Sequence, residues 1–189
     1  CNVHIDDEVT FRFQSIGKIR PGDEYDGYRV SLFADYPPMA VPLKLDITTG
    51  DRITPREMEY RFKLLFEERS ISVFAYNLET ILAEKLETVI ARGDLNTRLR
   101  DYYDIYILTK LQCGNIEIDV LRDALKVTAR KRGSIGIIEE YSKIMETVMN
   151  SEIIQKQWDN YRKDFEYAEG IEFGEVCDVL VGVMRALFN

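Results

Sequence analysis

At Asn77 the apolar residues of this chain stop alternating and begin to recur every three to four positions. That change of period divides the 189 residues into a strand-forming part and a helix-forming part. Before it, Val9, Phe11 and Phe13 point one way and Thr10, Arg12 and Gln14 the other, the pattern of a half-buried strand. Arg20-Pro21-Gly22-Asp23 and Asp26-Gly27 carry turn chemistry and Tyr28–Phe33 resumes the alternation, so an antiparallel pair is the natural reading. Beyond Pro37-Pro38, the residues Val41, Leu43, Leu45 and Ile47 share one face of a third strand and leave Lys44 and Asp46 on the other. Residues 56–70 read as a short helix and a strand, and Ile71–Phe74 as a further short strand.

After Asn77, a plausible helix N-cap, the residues Leu78, Ile81, Leu82, Leu86, Val89 and Ile90 form one broad stripe, and Gly93 is placed to stop the helix. A second helix is expected from Arg98 to Lys110 or Leu111. Others are expected over 117–131, 136–149, 151–167 and 173–188, with Gly114, Gly133 and Gly170 as breaks. Strands first and helices after give the α+β class, a sheet covered and extended by a helical bundle, divided as residues 1–75 and 76–189.

Composition narrows the chemistry. No run approaches the roughly 18 apolar residues of a membrane helix and no signal-peptide pattern is present, so a soluble protein without membrane partners is expected. Cys1, Cys113 and Cys177 lack metal-ligand spacing and His4 is the only histidine, which argues against disulfide scaffolds, zinc sites and a Ser-His-Asp hydrolase. A reducing, cytoplasmic setting fits, and these four residues read as structural or incidental. The net charge of −8 opposes wholesale coating of nucleic acid. The charge is uneven, however: residues 76–135 carry 10 basic and 9 acidic side chains, residues 136–189 only 5 basic and 11 acidic. A polyanion should meet the middle of the chain.

Three acidic and basic positions break the pattern. Lys85 lies seven residues after Leu78 and four after Ile81, inside the apolar stripe. Either its stem packs on the core while the ammonium reaches water or a carboxylate, or a cleft holds it to contact phosphate or shift a proton. Asp101 and Asp104 extend the stripe of Ile105 and Leu108 at the start of the second helix. Asp101 can be held there by the helix dipole and Asp104 by Lys85 or Arg100; alternatively Lys85 and Asp104 face a common site with Asp46. That constellation asks for phosphoryl or nucleotidyl transfer. Lys126, Arg130, Lys131 and Arg132 cluster at a helix end, either as a solvated face or as an RNA contact. Tyr102, Tyr103 and Tyr106 read as core packing before base stacking, as do Trp158, Tyr161 and Phe165. Asp51 either continues the Asp46 site or caps a turn.

The stretch Tyr76-Asn-Leu-Glu-Thr-Ile-Leu-Ala-Glu-Lys-Leu-Glu-Thr-Val-Ile-Ala-Arg92, followed by Arg100-Asp-Tyr-Tyr-Asp-Ile-Tyr-Ile-Leu108, resembles the AbiEii/AbiGii toxin family of bacterial nucleotidyltransferases. Leu43-Lys-Leu-Asp-Ile-Thr-Thr-Gly-Asp51 with Ile53-Thr-Pro55 resembles its third-carboxylate strand, and Trp158, Tyr161, Phe165, Tyr167 and Phe173-Gly-Glu-Val176 its C-terminal helices. The resemblance implies a partial DNA polymerase β-like nucleotidyltransferase sheet ahead of the helical bundle. It implies a toxin of a toxin–antitoxin or abortive-infection phage-defence pair that moves a nucleotide from a nucleoside triphosphate to an acceptor such as tRNA. Mg2+ or Mn2+ would be the cofactor and a cognate antitoxin the partner. Asp46 would be the third metal-site carboxylate, Lys85 the lysine that contacts the triphosphate, and Asp104, or else Asp101, the motif aspartate.

The Gly-Ser or Gly-Gly turn and the Asp-x-Asp metal pair that the family places ahead of these strands are missing there: Asp6-Asp7 is no Asp-x-Asp, and Gly17 and Gly22 open no helix. With Cys1 first and Met39 the earliest methionine, a truncated fragment inactive by itself is expected, a degenerate homologue being the other account. The competing class is a non-catalytic interaction module that binds an antitoxin or another protein through the acidic helical tail.

Overall fold

A computed structural model describes residues 8–19, 27–50 and 52–188. The fold is mixed α+β, 55% helical and 23% strand. Among the described residues two small antiparallel sheets precede seven helices. The backbone separates into two compact units, residues 1–51 and 52–189.

The first unit is a three-stranded meander of β1 (Thr10–Lys18), β2 (Tyr28–Tyr36) and β3 (Met39–Ile47) in the order β1-β2-β3. The pairing sets Phe13 beside Leu32 beside Leu43, and Ile16 beside Val30 beside Leu45. Phe13 and Ile16 are three apart and would lie on opposite faces of a regular strand; the irregularity between Phe13 and Ser15 restores Ile16 to the apolar side. One face is thereby apolar along its length, while the other carries the side-on ion pair Arg12–Asp35, its guanidinium over the Phe33 ring.

Half-burial, expected from the alternation, holds for the central strand β2, most of whose residues are partly buried, whereas β1 and β3 are largely exposed, Phe11 at 65% and Phe13 at 61%. Alternation decides which side chains share a face, and hairpin pairing satisfies the backbone whether or not that face is packed upon.

The second unit opens with the hairpin of β4 (Met58–Lys63) and β5 (Ser70–Ala75), so residues 56–70 contain a strand and no helix. Met58, Tyr60, Phe62, Ile71 and Val73 share one exposed face, which corrects the expectation of a sheet covered by the helices. A two-stranded ribbon has too little surface to anchor a packed layer.

Seven helices follow: α1 (Leu78–Arg92), α2 (Leu99–Gln112), α3 (Ile118–Lys131), α4 (Ile135–Glu139), α5 (Tyr141–Met149), α6 (Glu152–Asp164) and α7 (Phe173–Phe188). The expected helix over 136–149 is two helices, because Glu140, at φ −91° and ψ 14°, leaves the α-helical backbone and serves as the cap of both. Helix α6 stops at Asp164, where Phe165 turns extended (φ −128°, ψ 102°) and becomes partly exposed, so it is not the core residue its spacing suggested. Trp158 is core: it is fully buried and donates its indole N–H to the Ile171 carbonyl at 2.9 Å.

The core of this unit is built where α1 packs against α2 and α3, and α2, α3 and α5 against α7. Leu82, Leu86 and Val89 from α1, Tyr102 and Ile105 from α2, Leu121 and Leu125 from α3, and Leu180 and Met184 from α7 are all sealed from water. This apolar burial is the main favourable term for the unit.

Candidate active site

Helix α1 begins where the sequence predicts. The Asn77 side chain accepts from the Thr80 amide at 3.3 Å and donates to the Thr54 carbonyl at 2.7 Å, which fixes the helix start against the preceding loop. Its end is fixed by Gly93 in the left-handed region (φ 54°), whose amide returns to the Val89 carbonyl; a side chain there would be strained and would press on Ile144. The chain then turns through residues 93–95 into α2, and this short connection lays the first turns of α2 beside α1.

With Tyr102 and Ile105 driven into the core, Asp101 and Asp104 flank them on the side that faces Lys85. The Lys85 ammonium donates to Asp101 Oδ1 at 2.9 Å and to Asp104 Oδ2 at 2.7 Å. All three side chains are half-buried, 22%, 16% and 21% exposed. Arg100 Nε lies 3.8 Å from Asp104 Oδ2 on the outer side.

Burial alone would lower the Lys85 pKa, but hydrogen bonds to Asp104 and Asp101, together with their charges, outweigh it and raise the pKa above the ordinary lysine value. The group is therefore an ammonium at neutral pH. It can hold an anion, but it has no lone pair with which to take a proton. Of the two aspartates weighed from sequence, the structure places both on the lysine: an ammonium has three donors, and carboxylates one helical turn apart fit two of them.

Asp46 belongs to the first unit. It stands opposite Arg29 in the β2–β3 register, and both its oxygens accept from that guanidinium at 2.7 Å. The pair is exposed, and the hydrogen bond from Arg29 is the main cause that lowers the Asp46 pKa. Asp51 and its possible continuation of this site lie outside the described residues, as do Cys1, His4, Asp6, Asp7 and Gly22. Among the described residues no three or more His, Cys, Asp or Glu side chains are grouped to hold a metal ion.

The basic cluster divides. Arg132 is turned toward α1, where it donates to Glu87 Oε2 at 2.5 Å and Thr88 Oγ1 at 3.1 Å, while the Ser134 hydroxyl donates to Glu87 Oε1 at 2.6 Å. Arg130 is exposed on the last turn of α3; Lys126 and Lys131 are partly exposed. Glu87, only 3% exposed, was missed by the sequence reading. Its signal was available: it falls four residues after Ala83 and three before Ile90, on the buried stripe itself. Tyr102 is core as expected, Tyr103 and Tyr106 pack only partly, and Tyr106 donates toward Glu175. Cys113 is exposed, and Cys177 is buried with its thiol pushed up to about 12 by desolvation, so it is inert at neutral pH.

Among the described residues no helix is long and apolar enough to cross a membrane. No curated protein and no solved structure matches the chain. The family described as nucleotidyl transferase AbiEii toxin, type IV TA system, matches residues 1–178, and those residues contain the whole Lys85–Asp101–Asp104 arrangement. On that match the chain belongs to the AbiEii family of nucleotidyl transferase toxins of type IV toxin–antitoxin systems.

Proposed function

We propose that this chain supplies the lysine and aspartate part of a nucleotidyl-transfer site, moving a nucleotide from a nucleoside triphosphate to an acceptor, with tRNA as the acceptor and a cognate antitoxin as the neutralising partner. The observation that carries the reading is the Lys85 ammonium held by two carboxylates on the half-buried seam of α1 and α2. A permanently charged lysine suits a triphosphate oxygen, and charge stabilisation of this kind is a large term in phosphoryl chemistry. In this reading Asp104, with Asp101, aims the ammonium, or else Asp104 assists the incoming hydroxyl. The residues Lys126, Arg130 and Lys131 on α3 are assigned to the RNA backbone, Arg132 being engaged with α1.

The described carboxylates do not by themselves fit a Mg2+ or Mn2+ site: Asp101 and Asp104 are committed to Lys85, and both oxygens of Asp46 to Arg29. In this reading Asp46 is the metal-facing carboxylate only when released from Arg29, and no chemical step is assigned to the ion. With neither a Gly-Ser or Gly-Gly turn nor an Asp-x-Asp pair ahead of the strands, the chain is expected to be inactive alone.

The test is triphosphate binding by calorimetry on the wild-type chain, Lys85→Ala and Asp104→Asn, with label transfer from radioactive triphosphates to a bulk RNA pool in parallel. Lys85→Ala should weaken binding at least tenfold with unchanged circular dichroism, and the wild-type chain should transfer no label. Equal triphosphate binding by wild type and Lys85→Ala refutes the role of Lys85; efficient transfer refutes the inactivity.

A second reading, a non-catalytic module that binds a protein partner, is favoured by the uncovered apolar face of β1–β3. It predicts no triphosphate binding at all.

A further inference from the structure

Beside the Lys85 seam, a groove of about 620 Å³ runs between the first turn of α2 and the length of α6. Arg98 and Arg100 line it from α2, and Gln157, Asn160, Tyr161 and Asp164 from α6. Asp101 lines the same groove, so one carboxylate belongs both to this channel and to the ammonium of Lys85. Counted with the seam the charges balance, Lys85, Arg98 and Arg100 against Asp101, Asp104 and Asp164, and the two arginines are the cations that line the groove.

The α6 wall carries one ring, Tyr161, beside Gln157, Asn160 and Asp164. Tyr161 stacks on the buried Trp158 with ring centroids 5.4 Å apart and meets Phe165 at 4.7 Å; Phe165 in turn stacks on Tyr167 at 5.4 Å. Phe165 and Tyr167 are 41% and 48% exposed, so the aromatic surface runs from the groove onto the outside of the unit. Tyr161 packs against the core, whereas Phe165 and Tyr167 stand outside it, and exposed rings anchored in this way are rigid platforms. Among the amides on this wall, Gln157 Oε1 is shut from water and has no hydrogen-bond donor, a cost that a ligand N–H could relieve after rotation of the side chain.

Arginines at the groove and exposed rings next to it match the two parts of a nucleotide, its phosphate and its base. A pocket for a single small molecule encloses most of its ligand. This groove is open, and its rings extend past one base. We propose that it binds the single-stranded end of the nucleic-acid acceptor, with phosphates on Arg98 and Arg100 and bases on the exposed Phe165–Tyr167 pair, which Tyr161 backs from the groove. The inference rests on the nucleotidyl-transfer reading for its purpose, since it delivers a strand end to the side of Asp101 that adjoins Lys85. It does not require the α3 basic cluster.

The experiment is fluorescence anisotropy with end-labelled eight-nucleotide strands on the full chain, at 50 and 200 mM salt. Single-stranded RNA and DNA of one sequence form two arms, a blunt RNA duplex a third, and an unlabelled nucleoside monophosphate as competitor a fourth. Single-stranded RNA should bind at least as tightly as DNA of the same sequence, and the duplex at least tenfold more weakly. The double variant Arg98→Ala/Arg100→Ala should weaken strand binding at least tenfold and reduce the steepness of its salt dependence, because about two counterion-releasing contacts are lost. Phe165→Ala/Tyr167→Ala, at exposed positions outside the core, should weaken it at least fivefold. Circular dichroism verifies folding, and Arg100→Glu provides a second charge variant.

Absence of strand binding, equal binding of duplex, monophosphate competing as strongly as an unlabelled strand, or unchanged affinity in both double variants overturns the groove. The strand arms contain no triphosphate, so a failed Lys85→Ala result in the calorimetry bears on Lys85 and leaves these outcomes standing.

Discussion

In the helical unit Trp158, Tyr102 and Ile105 are sealed from water, and the ion pairs of Lys85 with Asp101 and Asp104 and of Arg132 with Glu87 are built against that core. In the three-stranded sheet Phe11, Phe13 and Met39 are more than half exposed, and the ion pairs Arg12–Asp35 and Arg29–Asp46 lie at the surface. Distances do not separate the two cases, since Lys85–Asp104 and Arg29–Asp46 are both 2.7 Å. Surroundings do. The same contact in water is screened and competes with hydration, whereas beside a packed core it is strengthened and its loss strands a charge. Geometry names the partners, and burial determines how much each pair matters.

The largest effect should come from the most buried of these charges. Glu87 accepts from both Arg132 and Ser134, so Arg132→Ala leaves a nearly buried carboxylate with one neutral donor. The expected loss is about 3 kcal/mol in urea denaturation followed by circular dichroism, at the lower end for a broken buried pair because Arg132 is itself partly exposed. Because Arg132 bridges α3 to the turn of α1 that carries Lys85, Glu87→Gln should recover part of that loss when added to Arg132→Ala. If Arg132→Ala were silent, the division by burial would fail at its strongest point.

Lys85→Met is the intermediate case. It removes a charged donor from two carboxylates, and about 2 kcal/mol should be lost at neutral pH, within the range for charge-assisted hydrogen bonds. The pH dependence gives the sign. Because the folded-state pKa of Lys85 is raised, its stabilisation is present in full below the unfolded value of about 10.4 and is lost as pH climbs through the higher folded value. Wild-type stability should therefore fall across that alkaline window more steeply than that of Lys85→Met. Parallel curves for the two proteins would show that the ammonium gains nothing from its partners.

The sequence carried this site further than it carried the sheet, and the reason is physical. A helix places residues three and four apart on one face, so a lysine among Leu78, Ile81, Leu82 and Leu86 announces itself, and Asp101 and Asp104 can be put on one line without any tertiary information. Asn77 and Gly93 mark the helix ends by local backbone chemistry alone. Strand alternation likewise gave the shared face of Val41, Leu43, Leu45 and Ile47, which the register reproduces. What alternation does not contain is whether anything covers that face, or that one irregular residue between Phe13 and Ser15 returns Ile16 to it. The break at Glu140 was hidden because apolar residues continue through it on both sides. Arg29 as the partner of Asp46 lies 17 residues away across a hairpin and follows only from the register. Glu87 lies on the stripe and is legible by the same spacing, but its partners Arg132 and Ser134, 45 and 47 residues away, follow only from the packing of α3 on α1.

The smallest effect should be at Asp46, and it tests the comparison from the other side. Arg29 grips Asp46 with two hydrogen bonds, a better geometry than the single contact Lys85 makes to either aspartate. A rule based on geometry would therefore rank Asp46→Asn above Lys85→Met. A rule based on surroundings reverses the order, because both members of the sheet pair are about half exposed, water solvates each charge when the other is removed, and salt screens what attraction remains. Asp46→Asn and Arg29→Ala should each leave the urea midpoint where it is in wild type, at low and at high salt alike. The hydrogen bond that lowers the Asp46 pKa should still be visible when its carbon resonance is followed by NMR, and Arg29→Ala should return that titration toward the ordinary aspartate range. A midpoint shift in Asp46→Asn as large as that in Lys85→Met would mean that Asp46 is held in surroundings like those of the helical seam.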